Sequence, residues 1–222
     1  MLSELTASAA TSSVALILLA AGASTRMGQA KQLLYFQGQT LLRRAAETAV
    51  ATGCQPLMLV TGALHEELVA EIDDLPFLVT RNPDWAAGMG SSIRAGLAAL
   101  EKAPQPPSAV LIMLCDQPLV TPALLLTMIK QQQASQAPVV ASAYGGTLGV
   151  PAVFSADSLP ALRQLGGRRV RGKLLLVMVI LLVACRFRGA FLMWIRPPNM
   201  PLCWKMTWGS KLRRIQICQL NH

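Results

Sequence analysis

Three short segments hold most of the residues that could do chemistry. The first is Ala20-Ala21-Gly22-Ala23-Ser24-Thr25-Arg26-Met27-Gly28-Gln29-Ala30-Lys31. Its small side chains let the backbone come close to a ligand, its glycines reach backbone angles closed to other residues, and Arg26 and Lys31 add two cations. Together these describe a polyphosphate cradle. It is not a Walker loop, because the spacing from Gly28 to Lys31 is wrong, and it lacks the GxGxxG fingerprint. The same composition also suits a plain strand-to-helix turn with two surface cations. The second segment, Asn82-Pro83-Asp84-Trp85-Ala86-Ala87-Gly88-Met89-Gly90-Ser91-Ser92, joins a turn to glycines that would let a flat base approach the backbone. Read by itself it is equally a loop that caps the next helix. The third, Cys115-Asp116-Gln117-Pro118, sets one carboxylate directly after an apolar run. Such an Asp either caps the following helix or serves Mg2+, which takes few carboxylates and completes its shell with phosphate oxygens and water. His65 and His222 have no metal-ligand spacing and read as surface residues.

The elements that must position these segments alternate regularly. Val14 to Leu19 reads as a buried strand, Thr40 to Thr52 as an amphipathic helix closed by Gly53, and Pro56 to Val60 as a second strand. His65 to Ile72 is helical, Phe77 to Thr80 a short strand, and Ser91 to Lys102 a helix whose serines can cap its start. Ala109 to Leu114 is an apolar strand, and Thr121 to about Gln133 a helix with Pro122 in its first turn. The alternation predicts an α/β fold: a single Rossmann-like, doubly wound and largely parallel sheet covered on both faces. In such sheets ligands bind beyond the carboxyl ends of the strands, where all three segments fall.

The chain has 222 residues, 53% hydrophobic and 14% charged, which suits one domain and excludes a disordered chain or a coiled coil. Its net charge of +9 is unevenly spread. Residues 1–162 hold 8 basic and 11 acidic side chains, whereas residues 163–222 hold 12 basic and none acidic. A nucleic-acid arm is the usual reading of a basic tail, but here an apolar run from Leu174 to Cys185 interrupts it, so no nucleic-acid partner is expected. That run is also far shorter than the roughly 20 residues of a membrane span. No Lys or Arg precedes Arg26, so Val14 to Ala21 lacks the basic flank of a signal peptide. Five cysteines without paired spacing fit buried thiols in a reducing cytoplasm.

Taken together in order and spacing, LAAGASTRMGQAK from Leu19, NPDWAAGMGSSIRAGL from Asn82 and CDQP from Cys115 resemble the nucleotidyltransferases that attach CMP or GMP to molybdopterin, and within them the molybdenum cofactor cytidylyltransferase group. The resemblance covers roughly residues 14–167 and includes the glycine-rich stretch from Tyr144 to Phe154. Ala21 stands where the guanylyltransferases have a second glycine, which favours cytidine. The resemblance implies that Leu19, Ala20, Ala21 and Gly22 line the nucleotide, Arg26 and Lys31 hold the triphosphate, Gly90 and Ser91 lie beside the base, and Asp116 binds Mg2+. Arg26, Lys31 and Asp116 would then carry catalysis. CTP and a molybdopterin-type acceptor are the implied substrates, with a molybdoenzyme or its chaperone as the receiver of the product. Three alternatives stay open: a nucleotidyltransferase using GTP or another small phosphorylated acceptor, a nucleotide-binding protein without catalysis, and a protein whose apolar, basic tail lies at a bilayer interface.

The family's later G-D-x-G-A-R and D-x-D-T-P segments are missing. A shifted reading frame permits the D-x-D-T-P segment and the Gly-Ala-Arg end of the other, with only a Val-Asp pair forced. Met and Trp have single codons, so Met193-Trp194-Ile195 read from the last base of each codon gives Val-Asp, and the same frame over Leu192 to Met200 permits Asp-Val-Asp-Thr-Pro-Ala-Glu-Tyr. Arg169 to Lys173 permits Gly-Ala-Arg-Lys in that frame. The expected organisation is therefore a disordered extension at residues 1–13, a nucleotidyltransferase domain at 14–167, and an out-of-frame basic, apolar tail at 168–222.

Overall fold

The computed structural model describes residues 13–23, 30–144 and 147–165, together with three short strands nearer the C-terminus. The chain runs through β1 (Val14–Leu19), a small hairpin of β2 (Tyr35–Phe36) and β3 (Gln39–Thr40), α1 (Leu41–Val50), β4 (Leu57–Thr61), α2 (His65–Ala70) and β5 (Phe77–Arg81). It continues with α3 (Met89–Leu100), β6 (Ala109–Leu114), α4 (Pro122–Ser135), β7 (Val139–Tyr144), β8 (Thr147–Ser155) and α5 (Leu159–Arg163). The last strands are β9 (Met193–Ile195), β10 (Cys203–Trp204) and β11 (Ile217–Cys218).

β1 is apolar at every position, and all six residues are buried, so it needs cover on both faces and takes a central place in the sheet. The order is β5-β4-β1-β6-β8-β7-β9. β5, β4, β1 and β6 are parallel, β8 runs antiparallel to both β6 and β7, and β9 pairs in parallel with β7. The sheet is thus the mostly parallel α/β sheet expected from the alternation. The chain leaves β1 outward through β4 to β5, then returns across the sheet by α3 to place β6 on the other side of β1. That reversal opens a crevice at the carboxyl ends of β1 and β6.

Period-two alternation divides the core. Val14, Leu16 and Leu18 pack under α1 and α4 with Leu42, Ala46, Leu125 and Met128, while Ala15, Ile17 and Leu19 pack under α3 and α5 with Ile93, Leu97 and Leu162. Helix ends follow local chemistry. Thr40 caps α1 by accepting from the Arg43 N–H at 3.1 Å, and Gly53, at φ +70°, occupies the left-handed turn after the helix. Thr121 caps α4 through the Leu124 N–H at 3.3 Å, with Pro122 in the first turn.

The start of α3 corrects the expected serine cap. The helix begins at Met89 with Gly88 at the cap position, at φ +106°, and no side chain caps it. The Ser91 hydroxyl points back instead, toward the Gly88 carbonyl at 2.7 Å and the Asp84 carbonyl at 2.8 Å. Within α3, Gly96 lets helix and sheet come close: a Cβ there would lie 3.0 Å from methyl carbons of Ile17 and Val60. Among the described residues no helix is long and apolar enough to cross a membrane.

Candidate active site

A cavity of about 290 Å3 lies in the crevice at the ends of β1 and β6. Three walls surround it, one from each segment singled out in the sequence. The first wall is Leu19, Ala20, Ala21 and Gly22, with Lys31 and Gln32. β1 delivers this backbone under tight control: the Leu19 carbonyl accepts from the Cys115 N–H at 3.3 Å, and the Ala20 N–H donates to the Val60 carbonyl at 2.9 Å. A single 3-10 turn, Lys31–Leu33, then places neighbouring side chains on opposite sides, with Lys31 exposed at the rim and Gln32 only 3% exposed. The Gln32 amide donates to the Ala20 carbonyl at 3.0 Å and also to the Gly22 carbonyl.

The second wall is Trp85, Gly88, Met89 and Ser92. Its shape comes from Asn82, itself 3% exposed, whose amide donates to the hydroxyls of Ser91 at 2.9 Å and Ser92 at 3.0 Å, while its carbonyl oxygen accepts from the Asp84 N–H at 3.0 Å. Gly62, just after β4, allows the first two walls to meet. A Cβ on it would fall 2.3 Å from the Ala21 carbonyl oxygen and 2.8 Å from Trp85 Cβ.

The third wall is Leu114, Cys115 and Asp116. The loop after Asp116 is anchored from both flanks: the Gln117 amide donates to the Val150 carbonyl at 2.7 Å, and Arg44 Nε donates to the Pro118 carbonyl at 2.8 Å. The Arg44 guanidinium also sits 5.3 Å from the centroid of the Phe36 ring, tying the β2–β3 hairpin to the same loop. Cys115 lies buried in this wall. Burial, and secondarily the charge of Asp116, push its thiol up to about 12, so it stays protonated.

The structure therefore brings Leu19, Ala20, Ala21, Gly22, Lys31 and Asp116 to one cavity. Gly90 and Ser91 are buried in the first turn of α3, and Gly88, Met89 and Ser92 are the residues of their segment that reach the lining. Arg26 lies outside the described residues. Gln32, Asn82 and Gly62 escaped the sequence reading as site-shaping residues. The available signal for Gln32 was a polar side chain inside the run Lys31-Gln32-Leu33-Leu34; for Gly62 it was a glycine directly after an apolar strand. Among the described residues no three of His, Cys, Asp and Glu gather. A cation here would have one protein carboxylate, Asp116, and a hard divalent ion that shares its shell with phosphate fits that donor.

Residues 16–178 match the profile of the MobA-like NTP transferase domain. The chain belongs to this family. Membership places it among enzymes of the nucleotidyltransferase type. Over 149 residues, 67% of the chain, it is 36% identical to the nicotine blue oxidoreductase of Paenarthrobacter nicotinovorans. Over 94 residues, 40% of the chain, it is 33% identical to the molybdenum cofactor cytidylyltransferase of Escherichia coli. The matched stretches span 66% and 47% of those two relatives. The MobA-like fold is also seen in a nucleotidyl transferase from Methanothermobacter, with a TM-score of 0.67 and 21% identity over 84% of this chain and 88% of the other. It recurs in the manganese complex of Rv0371C from Mycobacterium tuberculosis, with a TM-score of 0.61 and 24% identity over 83% and 88%.

Proposed function

We propose that the chain transfers CMP from CTP to the terminal phosphate of molybdopterin and releases pyrophosphate. The observation that carries this reading is the convergence of Lys31, the Ala20–Gly22 backbone and Asp116 on one cavity at the switch point of the sheet. The cation suits a polyphosphate, and the carboxylate suits a divalent ion that shares its shell with phosphate oxygens. The relative named a molybdenum cofactor cytidylyltransferase supports the acceptor and the base, and Ala21 supports cytidine over guanosine.

In the reaction an oxygen of the acceptor phosphate attacks the α-phosphorus in line. A new P–O bond forms, the bond to the bridging oxygen breaks, and pyrophosphate leaves. Such a transfer needs alignment and charge neutralisation more than a protein base. Lys31 holds the triphosphate by charge-assisted contacts, with Arg26 assigned the same task from the sequence, and the Ala20–Gly22 backbone fixes the nucleotide. Asp116 would hold Mg2+, which when bound supplies positive charge at the phosphates; the manganese complex of the mycobacterial relative supports a divalent ion at such a fold. The product would pass to a molybdoenzyme or its chaperone in the cytoplasm.

Pyrophosphate release, followed with CTP, Mg2+ and molybdopterin, tests the proposal. With the reading frame restored after Gly167, release is expected with CTP, and Asp116→Asn in that version should cut it by orders of magnitude while the circular dichroism spectrum is unchanged. Near wild-type release by the Asn variant would remove Asp116 from the mechanism. Equal turnover of CTP and GTP would leave only general nucleotidyl transfer.

A further inference from the structure

Every carbonyl from Leu19 to Gly22 is turned toward protein. That of Leu19 accepts from the Cys115 N–H, and those of Ala20 and Gly22 accept from the same Gln32 amide nitrogen. The Ala21 carbonyl oxygen faces Gly62 so closely that no Cβ fits between them. The N–H groups of this segment divide differently. The Ala20 N–H is bonded to the Val60 carbonyl, but those of Ala21, Gly22 and Ala23 meet no acceptor among the described residues. The first wall of the cavity thus has its acceptors spent and its donors in hand. Gln32 is the side chain that spends two of them, from a position 3% exposed and inside the cavity lining.

We infer that Gln32 sets base specificity by leaving Ala21 to Ala23 as a donor-only surface, so that the chain selects a base offering two adjacent acceptors. This rests on the nucleotidyltransferase reading above. On its Watson–Crick edge cytosine presents O2 and N3, both acceptors and side by side. Guanine presents N1–H and N2–H donors on that edge, its adjacent acceptors O6 and N7 lying on the far edge of a larger, bicyclic base, and uracil places N3–H between its two carbonyls; presented by the Watson–Crick edge, either would set donor against donor. A donor buried against a donor loses its hydrogen bond to water without replacement, which makes rejection stronger than attraction. Gln32 is a positioning residue in this account. It acts through the carbonyls it holds and need not touch the base.

The test is equilibrium binding of the full chain, by calorimetric titration with Mg2+ present, to CTP, UTP, GTP and the triphosphate of 3-deazacytidine, in which C–H replaces the N3 acceptor. CTP should bind about tenfold or more tighter than each of the others. Gln32→Met keeps the side-chain length and releases both carbonyls. It should weaken CTP binding and maintain or raise GTP binding, so that the preference shrinks about tenfold. A purely structural role would weaken both nucleotides together with a fall in Tm, and that outcome removes Gln32 from specificity. The wild-type series needs no variant to fold. If all four triphosphates bind equally, the donor-only inference fails and nucleotide binding stands; if none binds, the nucleotidyltransferase reading fails and takes the inference with it.

Discussion

Lys31 and Gly62 show how differently two residues of one cavity work. Lys31 is an exposed cation at the rim, and the contribution proposed for it is a charge-assisted contact with phosphate. Lys31→Ala should weaken CTP binding by roughly 1.5–3 kcal/mol, measured by titration, while thermal stability changes little. Gly62 has no functional group and contributes only room. With the Ala21 carbonyl oxygen 2.3 Å from the place a Cβ would occupy, Gly62→Ala must push the first wall or Trp85 aside. We expect that substitution to cost about 1–3 kcal/mol of stability and to weaken nucleotide binding as well, the reverse of the Lys31 pattern. Lys31 and Asp116 were legible in the sequence because charge beside small residues announces itself. Gly62, Gln32 and Asn82 were harder to read, since their work is steric or consists of hydrogen bonds to groups distant in the chain, and residue type marks it only faintly.

Arg43 governs how α1 and α2 are joined. Its guanidinium forms a fork with Asp74, at 2.5 and 2.7 Å, and its Nε bonds Glu47 at 2.8 Å, while the hydroxyl of the cap residue Thr40 reaches Glu71 at 2.7 Å. The hydrogen bonds from Arg43 hold the carboxyls of Asp74 and Glu47 below their ordinary range. A carboxyl lowered in the folded state adds stability that is present above its unfolded pKa and is lost as pH falls through the folded value. Arg43→Met should therefore destabilise the protein at neutral pH and hardly at all in strong acid, the two unfolding curves converging as pH falls below the ordinary carboxylate range. Exposure keeps the effect small, and added salt should shrink it further. At this scale the sequence was informative: the apolar strands β1, β4 and β6 and the Thr-capped helices α1 and α4 appear within a residue or two of expectation, because periodicity and caps are local signals. The antiparallel β8 between β6 and β7 was invisible, as strand order depends on pairing between distant segments. The serine-cap expectation for α3 failed because Gly88 and the backward-pointing Ser91 form a turn of their own.

At the scale of the whole molecule the C-terminal quarter stands apart, with 12 basic and no acidic side chains in residues 163–222. The proposed shift of frame after Gly167 falls on residues outside those described, apart from the backbone of short strands such as β9, whose Met193-Trp194-Ile195 is the stretch that yields Val-Asp in the other frame. As written, this tail has cations and apolar residues in place of the acidic D-x-D-T-P segment that the resemblance leads one to expect. The chain as given should bind CTP but turn it over poorly and show a tendency to aggregate on expression, whereas a version with the frame restored should be soluble and active. Full activity of the chain as given, folding cooperatively through residue 222, would rule out the shifted frame, and the nucleotide sequence of codons 165 to 200 decides it directly. The uneven spread of tryptophan adds a practical dividend. Three of the four stand at 194, 204 and 208, and the fourth, Trp85, lines the cavity beside Gly62. Restoring the frame replaces the other three, while Trp85 stays in the second wall as a fluorophore beside the bound nucleotide. Its emission would then register the arrival of a nucleotide in real time without a label, so that a stopped-flow trace could separate the moment of binding from the chemistry that follows.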